Sequence, residues 1–330
     1  MTRVLATQTE SWPLREVFRI SRGARTHAQV VTVEIRDGEF TGRGECVPYA
    51  RYGESVDSVL AQMSGVAGAI ASGIEGAELG RLLPAGAARN ALDCALWDLR
   101  ARRSGVPAWK LAGLDPARPV TTAYTLSLDT ADRMRAAARL QAQRAVLKIK
   151  LDAEDVLARI EAVRSEAPAA RLIVDANEAW RAQDLRRWMP ALKDLGVDLL
   201  EQPLPAGEDA ALAQMAHLVR VAADESCHVA ADVPELADRY DVVNVKLDKT
   251  GGLTEAIELV RAARDRGLAV MVGCMVSTSL SIAPAMLLAM RADYVDLDGP
   301  LLLASDREGG VVELEGCLQP PSGALWGGGG

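Results

Sequence analysis

The chain has 330 residues, a hydrophobic content of 49%, a formal net charge of −8 and a sequence pI of about 5.1. This length suffices for one large barrel with an added unit. The acidic balance argues against nucleic acid or an anionic membrane surface as a partner, and no apolar run of 18 or more residues predicts a membrane span. Five cysteines without CxxC spacing, and a start without an apolar leader, favour a soluble cytoplasmic protein. The sequence is compatible with a homo-oligomer as well as with a monomer.

The first third of the chain combines two kinds of pattern. Residues 1–56 favour β-strands, with a hairpin turn at Asp37-Gly38. The next segment favours helices, and the clearest apolar period of 3.6 runs over residues 87–103. The sequence therefore predicts an α+β unit over residues 1–116.

From residue 117 to residue 312, short apolar runs alternate with amphipathic segments. The runs number about eight, and the segments between them predict helices over 131–143, 155–166, 182–195, 208–217 and 253–266. Strict strand–helix alternation predicts an α/β fold with a parallel sheet. Residues 313–330 are expected to return to the first unit, with a disordered Gly327–Gly330 tail.

Five polar residues close successive apolar runs at intervals of 22 to 26 residues: Lys150, Asp175, Glu201, Asp224 and Lys246. One strand, one helix and two loops together take about that many residues. In a (β/α) barrel the carboxyl ends of all strands open into one mouth. We therefore expect two amines and three carboxylates to meet there.

Asp175, Glu201 and Asp224 are the candidate metal ligands. Three carboxylates suit one hard divalent cation such as Mg²⁺. Zinc would favour imidazole or thiolate, and none of the three histidines ends a strand of this series. A single acid at a strand end is as readily a helix cap or a rim charge, but three at repeat spacing favour a metal site.

The lysines suggest proton transfer. Lys148 and Lys150 lie on one face of a strand that should be buried, and Lys246 ends a strand on the other side of the cation. A lysine can remove a proton next to a carboxylate if a neighbouring cation lowers its pKa. The alternative is that they are solvated surface lysines. We predict Lys150 and Lys246 as the acid/base pair, with Lys148 and the metal tuning Lys150.

These motifs carry a resemblance to a known family. Lys-x-Lys, Asp-x-Asn, Glu-Gln-Pro, Ala-Asp-Glu-Ser and Asn-Val-Lys-Leu at this spacing resemble the muconate-lactonizing subgroup of the enolase superfamily. The resemblance implies an N-terminal α+β capping domain over a (β/α)7β modified TIM barrel. It also implies one Mg²⁺ per active site and an ene-diolate intermediate stabilised by that metal.

One further motif narrows the resemblance. Asp296-Leu297-Asp298 resembles the Asp-x-Asp of dipeptide epimerases, which there holds the α-ammonium of the substrate, although Asp298 before Gly299-Pro300 also fits a turn. Residues 48–55 resemble the L-Ala-D/L-Glu epimerase group. The resemblance implies an isomerase of murein peptide recycling that inverts the C-terminal residue of a dipeptide by two-lysine 1,1-proton transfer. An N-acylamino acid racemase, an o-succinylbenzoate synthase and a non-catalytic barrel are the alternatives.

Further residues are expected to contact a dipeptide. The segment 18–25 is expected to be a mobile loop over the mouth, where Arg22 or Arg25 binds a side-chain carboxylate, unless both are merely solvated. Thr125 ends the first barrel strand, and Cys274 and Met275 follow a later one, so all three are expected to line the site.

Overall fold

The computed structural model describes residues 2–328. Its N-terminal unit begins with a three-stranded antiparallel sheet whose strands are β1 (Val4–Ile20), β2 (Gly23–Asp37) and β3 (Phe40–Cys46). The hairpin predicted at Asp37-Gly38 joins β2 to β3. The segment expected to be a mobile loop is instead the tip of the β1–β2 hairpin, where Ile20 pairs with Gly23. Ser21 and Arg22 remain as the turn, so the rest of this segment is paired in the ladder and is not a loop.

Five helices complete the N-terminal unit: α1 (Val56–Gly65), α2 (Ala67–Ala71), α3 (Gly76–Leu82), α4 (Ala87–Ser104) and α5 (Ala108–Leu111). The predicted helix over 87–103 is α4, which packs across β3. Glycine permits this close approach, since an ideal Cβ on Gly44 would lie 2.0 Å from the Ala91 carbonyl oxygen. A separate apolar core fills the space between the sheet and the helices.

The second unit is a barrel. After β4 (Val120–Thr121), its strands are β5 (Tyr124–Leu126), β6 (Val146–Lys150), β7 (Arg171–Asp175), β8 (Val197–Glu201), β9 (Arg220–Ala223), β10 (Val242–Val245), β11 (Ala269–Gly273) and β12 (Tyr294–Asp296). They pair in parallel in chain order from β5 to β12. The Ala123 N–H donates to the Val295 carbonyl at 2.9 Å and so joins the first strand to the last. The expected α/β class with a TIM-like parallel barrel is confirmed.

Seven helices accompany the barrel strands: α6 (Ala131–Leu140), α7 (Val156–Glu166), α8 (Ala182–Asp194), α9 (Val233–Leu236), α10 (Leu247–Thr250), α11 (Leu253–Asp265) and α12 (Ser279–Ala289). Four of the predicted helices are confirmed within a few residues. Within residues 2–328, no helix combines the length and the apolar character needed to cross a membrane.

The helix predicted over 208–217 is wrong. Only a 3₁₀ turn forms there, at Ala210–Gln214. The Asp209 carboxylate accepts hydrogen bonds from Tyr240 Oη and Ser226 Oγ, both at 2.6 Å. This buried anchor fixes the start of the segment, so a tertiary contact overrides the local helical pattern.

The C-terminal segment runs back to the N-terminal unit. Strands β13 (Val312–Leu314) and β14 (Cys317–Gln319) form a small sheet with β4. Trp326 Nε1 then donates to the Cys94 carbonyl of α4, and the Gly327 N–H donates to Asp98 Oδ1 at 2.7 Å. The expected disorder is therefore wrong at Gly327, while Gly329 and Gly330 lie outside the described residues.

Buried acids connect the N-terminal unit to the barrel. Glu45 Oε1 accepts the N–H of Thr278 at the start of α12, and Asp93 Oδ2 accepts the N–H of Thr254 at the start of α11. Acids are favourable at helix N-termini because these ends carry unpaired N–H groups and a partial positive charge. The N-terminal unit thus caps two helices of the barrel.

Candidate active site

The predicted polar residues gather at the carboxyl ends of consecutive barrel strands. Lys150, Asp175 and Glu201 are the last residues of β6, β7 and β8, and they are direct neighbours in the strand register. Asp224 follows β9 and Lys246 follows β10. All five side chains are buried. The structure therefore brings the five residues together at one mouth.

Lys148 lies at the centre of this cluster. Its Nζ is 2.6 Å from Glu201 Oε2, 2.7 Å from Asp296 Oδ2 and 3.0 Å from Asp175 Oδ2. Burial lowers the pKa of Lys148, but the attraction of these carboxylates outweighs it and raises the pKa well above the ordinary value. Lys148 is therefore a fixed cation in the barrel.

Lys150 and Lys246 lie on opposite sides of the mouth. Their strand positions, on β6 and after β10, are four strands apart in an eight-stranded barrel. Lys150 Nζ donates to Asp175 Oδ2 at 2.6 Å, and Lys246 Nζ donates to Asp224 Oδ2 at 2.7 Å. Both lysines line the same cavity of about 450 Å³. Burial lowers the pKa of Lys246, but Asp224 and Glu201 together raise it above the ordinary value.

The pKa values of the three carboxylates are shifted in different directions. Burial raises the pKa of Asp175, but Lys150 and Lys148 lower it below its ordinary value, and Lys246 and Lys249 do the same for Asp224. Burial and the nearby Asp175 charge raise the pKa of Glu201 to about 7. The charge of Asp175 thus opposes ionisation of Glu201, and a cation bound between them would relieve that repulsion.

The donor set fits a hard divalent cation. Asp175, Glu201 and Asp224 offer oxygen only, and no imidazole or thiolate is among them. Glu201 Oε2 is buried and lacks a hydrogen bond of good geometry, although Lys148 Nζ is 2.6 Å away. Within residues 2–328, no three acidic, His or Cys side chains already surround a metal-sized space. The lysine ammoniums contact these carboxylates instead, so a cation would compete with Lys148 for Asp175 and Glu201.

Two buried residues of the site were missed in the sequence. Asn244 Nδ2 donates to Glu201 Oε1 at 2.8 Å, and Lys249 Nζ donates to Asp224 Oδ1 at 2.7 Å. Asn244 precedes Lys246 by two residues, so the period of a strand could have identified it. Lys249 lies in the one-turn helix α10, where no periodicity is readable.

The two candidate arginines have different surroundings. Arg22 NH2 donates to Glu225 Oε1 at 2.7 Å, and Arg22 NH1 donates to the Asn177 carbonyl at 2.8 Å. Arg25 stacks on the ring of Tyr49 at 5.1 Å and lines the cavity, and no acid among the described residues lies within ion-pair distance of it. Arg22 therefore ties the hairpin tip to the barrel, while the charge of Arg25 is available.

The Asp-x-Asp pair is buried beside Lys148. Asp296 Oδ2 accepts the Lys148 hydrogen bond, and Asp296 Oδ1 is buried without a partner. Asp298 Oδ2 accepts the Thr125 N–H at 2.7 Å. Burial and the neighbouring Asp296 charge raise the pKa of Asp298 to about 7.

Not every predicted contact residue lines the cavity. Cys274 and Met275 do so, next to Lys246. Thr125, Asp296 and Asp298 are not among its lining residues, and Thr125 borders a separate cavity near α6.

Comparison with known proteins relates this arrangement to two curated enzymes. The chain is 48% identical over 325 residues to an L-Ala-D/L-Glu epimerase of Escherichia coli strain K12, covering 98% of this chain and 99% of the other. It is 46% identical over 301 residues to an N-acetyl-D-glutamate racemase of Pseudoalteromonas, covering 91% and 95%.

Solved structures of related proteins are also similar to this chain. An enolase family member from Agrobacterium tumefaciens, with bound sodium and L-Ala-L-Glu, superimposes with a TM-score of 0.96 at 50% identity and covers 98% of this chain and 100% of that one. A dipeptide epimerase from Methylococcus capsulatus, complexed with Mg and L-Arg-D-Lys, superimposes with a TM-score of 0.89 at 31% identity and covers 98% of both chains.

Two family models cover most of the chain. Residues 2–113 match the N-terminal domain of mandelate racemase and muconate lactonizing enzyme, and residues 129–324 match the enolase C-terminal domain-like family. The resemblance of the strand-end motifs is thereby confirmed, and the chain belongs to the mandelate racemase and muconate lactonizing enzyme family of the enolase superfamily.

Proposed function

We propose that this chain is a Mg²⁺-dependent dipeptide epimerase that inverts the α-carbon of the C-terminal residue, with L-Ala-L-Glu and L-Ala-D-Glu as its substrate pair. The observation that carries the proposal is the placement of Lys150 and Lys246 on opposite sides of one cavity. Inversion of an α-carbon requires removal of a proton on one face and delivery of a proton on the other. Two amines facing each other supply both groups.

In this scheme the two lysines exchange the roles of base and acid when the direction of epimerisation is reversed. One lysine, in its neutral form, takes the α-proton from its face, while the other, protonated, donates a proton to the opposite face. A cation held by Asp224 and Glu201 would offset the charges that raise the pKa of Lys246 and so favour its neutral form. For the reverse reaction the roles are interchanged. Asp175 holds Lys150 and Asp224 holds Lys246, each through a hydrogen bond under 2.8 Å, so both amines are oriented before substrate enters.

Asp175, Glu201 and Asp224 would hold the Mg²⁺. When bound there, the ion supplies positive charge that stabilises the substrate carboxylate as the α-proton leaves. Lys148 adds a fixed positive charge beside the same carboxylates. Both charges favour proton removal next to a carboxylate.

The two ends of the dipeptide would be recognised by opposite charges. Asp298, assisted by Asp296, would hold the free α-ammonium, which needs an anionic partner once water is excluded. Arg25 would bind the side-chain carboxylate of Glu, because its guanidinium lines the cavity and has no acidic partner in the described structure. Cys274 and Met275 would border the bound dipeptide.

A second candidate is racemisation of N-acetylglutamate. The similarity at 46% identity to an N-acetyl-D-glutamate racemase favours it. The same lysines, acids and arginine would serve that reaction. The two candidates differ at the amino end of the substrate, where an N-acetyl group carries no charge for Asp298 to bind.

A comparison of substrates in D₂O distinguishes the epimerase from the racemase. With Mg²⁺ present, L-Ala-L-Glu should incorporate deuterium at the Glu α-carbon and yield the D-Glu epimer, and chelation of the metal should stop both. We expect kcat/KM for L-Ala-L-Glu to exceed that for N-acetyl-L-glutamate. The reverse order would establish the racemase, and a preference for L-Ala-L-Leu or L-Ala-L-Lys would overturn the role of Arg25.

A cytoplasmic location is part of the same proposal. All five cysteines lie within the described residues and none forms a disulfide, which supports a reducing compartment.

A further inference from the structure

Lys249 is a buried charged residue for which the two-lysine reaction has no direct use. It lies in α10, the single helical turn that follows Lys246. Its side chain has no exposed surface. Lysine is rarely buried to this degree unless its charge is paired, so the position calls for a specific partner.

That partner is Asp224, which Lys249 contacts twice. Lys249 Nζ donates to the Asp224 carbonyl at 2.5 Å and to Asp224 Oδ1 at 2.7 Å. A third bond runs to the Asn244 carbonyl at 2.9 Å. An ammonium has three hydrogens, so its donor capacity is used completely.

The contacts divide the Asp224 carboxylate between two lysines. Oδ1 is held by Lys249, and Oδ2 faces Lys246 at 2.7 Å. Because Lys249 also holds the Asp224 carbonyl, it fixes the backbone and the side chain of this residue against each other. Oδ1 of Asp224 is thus tied to α10, and Oδ2 is the oxygen that contacts Lys246 and for which a cation at the mouth would compete.

We propose that Lys249 is a positioning residue that orients Asp224 so that Oδ2 alone is presented to the bound cation. The inference rests on the proposed metal site. A residue that orients a metal ligand typically changes metal affinity by 10- to 100-fold when it is replaced.

If Lys249 served only to balance charge, its replacement would change Mg²⁺ affinity in the opposite direction. Lys249 carries a positive charge next to a proposed cation ligand, so its removal would strengthen cation binding by reducing repulsion. Loss of positioning weakens binding instead. The sign of the change in Mg²⁺ affinity therefore separates the two roles.

The experiment measures Mg²⁺ binding calorimetrically in the full chain without substrate. We expect Lys249→Met to bind Mg²⁺ about tenfold or more weakly than wild type. We expect Lys193→Met, at an exposed lysine of α8, to bind as wild type does. Unchanged or tighter binding in Lys249→Met overturns the inference.

Asp224→Asn separates failure of the inference from failure of the metal site. If Asp224→Asn binds Mg²⁺ like wild type, the proposed ligand set is wrong. If Asp224→Asn loses Mg²⁺ while Lys249→Met keeps it, only the role of Lys249 is wrong.

A second readout is the turnover of Lys249→Met at high Mg²⁺. At saturating Mg²⁺ the kcat of Lys249→Met should recover toward wild type, because positioning acts through metal affinity, whereas a loss that high Mg²⁺ does not reduce contradicts the inference. Should the Met variant fail to fold, Lys249→Gln, which keeps a polar donor, carries the same comparison with the same expected direction.

Discussion

Lys148 Nζ and Asp296 Oδ2 form a buried ion pair at 2.7 Å, and this pair makes the two acids of Asp-x-Asp unequal. Asp296 already pairs with a lysine of the barrel, whereas within residues 2–328 Asp298 has no lysine partner, and its carboxylate accepts the Thr125 N–H alone. Replacement of Asp296 should therefore disturb Lys148, and replacement of Asp298 should disturb substrate binding.

The first prediction concerns this difference. Asp298→Asn should raise KM for L-Ala-L-Glu about tenfold or more, from loss of about 1.5–3 kcal/mol in a charge-assisted hydrogen bond. Asp296→Asn should lower kcat more than it raises KM, because Lys148 loses one of its three carboxylate partners and keeps Asp175 and Glu201. Steady-state kinetics on both variants tests whether one change acts on KM and the other on kcat. Equal turnover of free and N-acetylated dipeptides by the wild type would rule out the ammonium role.

The second prediction concerns the acid/base pair. Lys246→Ala should lower epimerisation at least about 100-fold, the lower range for loss of a positioned proton donor or acceptor. Exchange of the α-proton with solvent deuterium should persist for one antipode only, because Lys150 still serves its own face. NMR of each antipode in D₂O measures this, and full epimerase activity in either lysine variant contradicts the two-base scheme.

The third prediction concerns Gly273, the last residue of β11. An ideal Cβ there would lie 2.6 Å from Asn244 Oδ1 and 3.1 Å from Lys246 Cε, so Gly273→Ala should displace the lysine and lower kcat. Gly65→Ala is the matched control, because its Cβ would meet nothing within 4 Å. Kinetics on both variants tests the claim, and a wild-type kcat in Gly273→Ala would show that the space around Lys246 is not critical.

The fourth prediction is a pH dependence of stability. Burial raises the pKa of Asp93 to about 6 in the folded protein, from 3.8 as the ordinary value. The native state therefore binds a proton more tightly than the unfolded chain. This contribution to stability is present at low pH and is lost as pH rises from about 4 through 6.

Asp93→Asn removes this titration while keeping its contacts. The Asn oxygen can accept the Thr254 N–H, and its amide can donate to Thr254 Oγ1, which now donates to Asp93. The variant should gain stability relative to wild type between pH 4 and pH 7 by up to roughly 3 kcal/mol, since one pKa unit corresponds to about 1.4 kcal/mol. Urea unfolding at pH 4 and at pH 7 measures the difference in unfolding free energy between the variant and wild type. The same difference at both pH values would contradict the raised pKa.

The barrel was predictable because its signal is repetitive. Each strand-end residue of the series from Lys150 to Lys246 closes an apolar run, and a parallel sheet buried on both faces requires such runs. The spacing therefore fixed which residues meet at the mouth. The mutual contacts could not be foreseen, because which oxygen of Asp175 or Glu201 faces Lys148 depends on side-chain packing across three strands.

The errors come from contacts distant in sequence. The segment 208–217 has a helical pattern, but Asp209 is fixed by Tyr240, which lies 31 residues away. The hairpin tip at Ser21 and Arg22 has the composition of a loop, and its order derives from ladder pairing and from the Arg22 contact with Glu225. Local pattern carries no information about either partner.

The capping of barrel helices by Glu45 and Asp93 bears on how such enzymes can be recombined. A barrel grafted beneath a different N-terminal unit would lose the acceptor for the Thr254 N–H in the first turn of α11 and the acceptor for the Thr278 N–H that precedes α12. Exchange of substrate specificity between relatives through their first hundred residues therefore has to preserve these two acids.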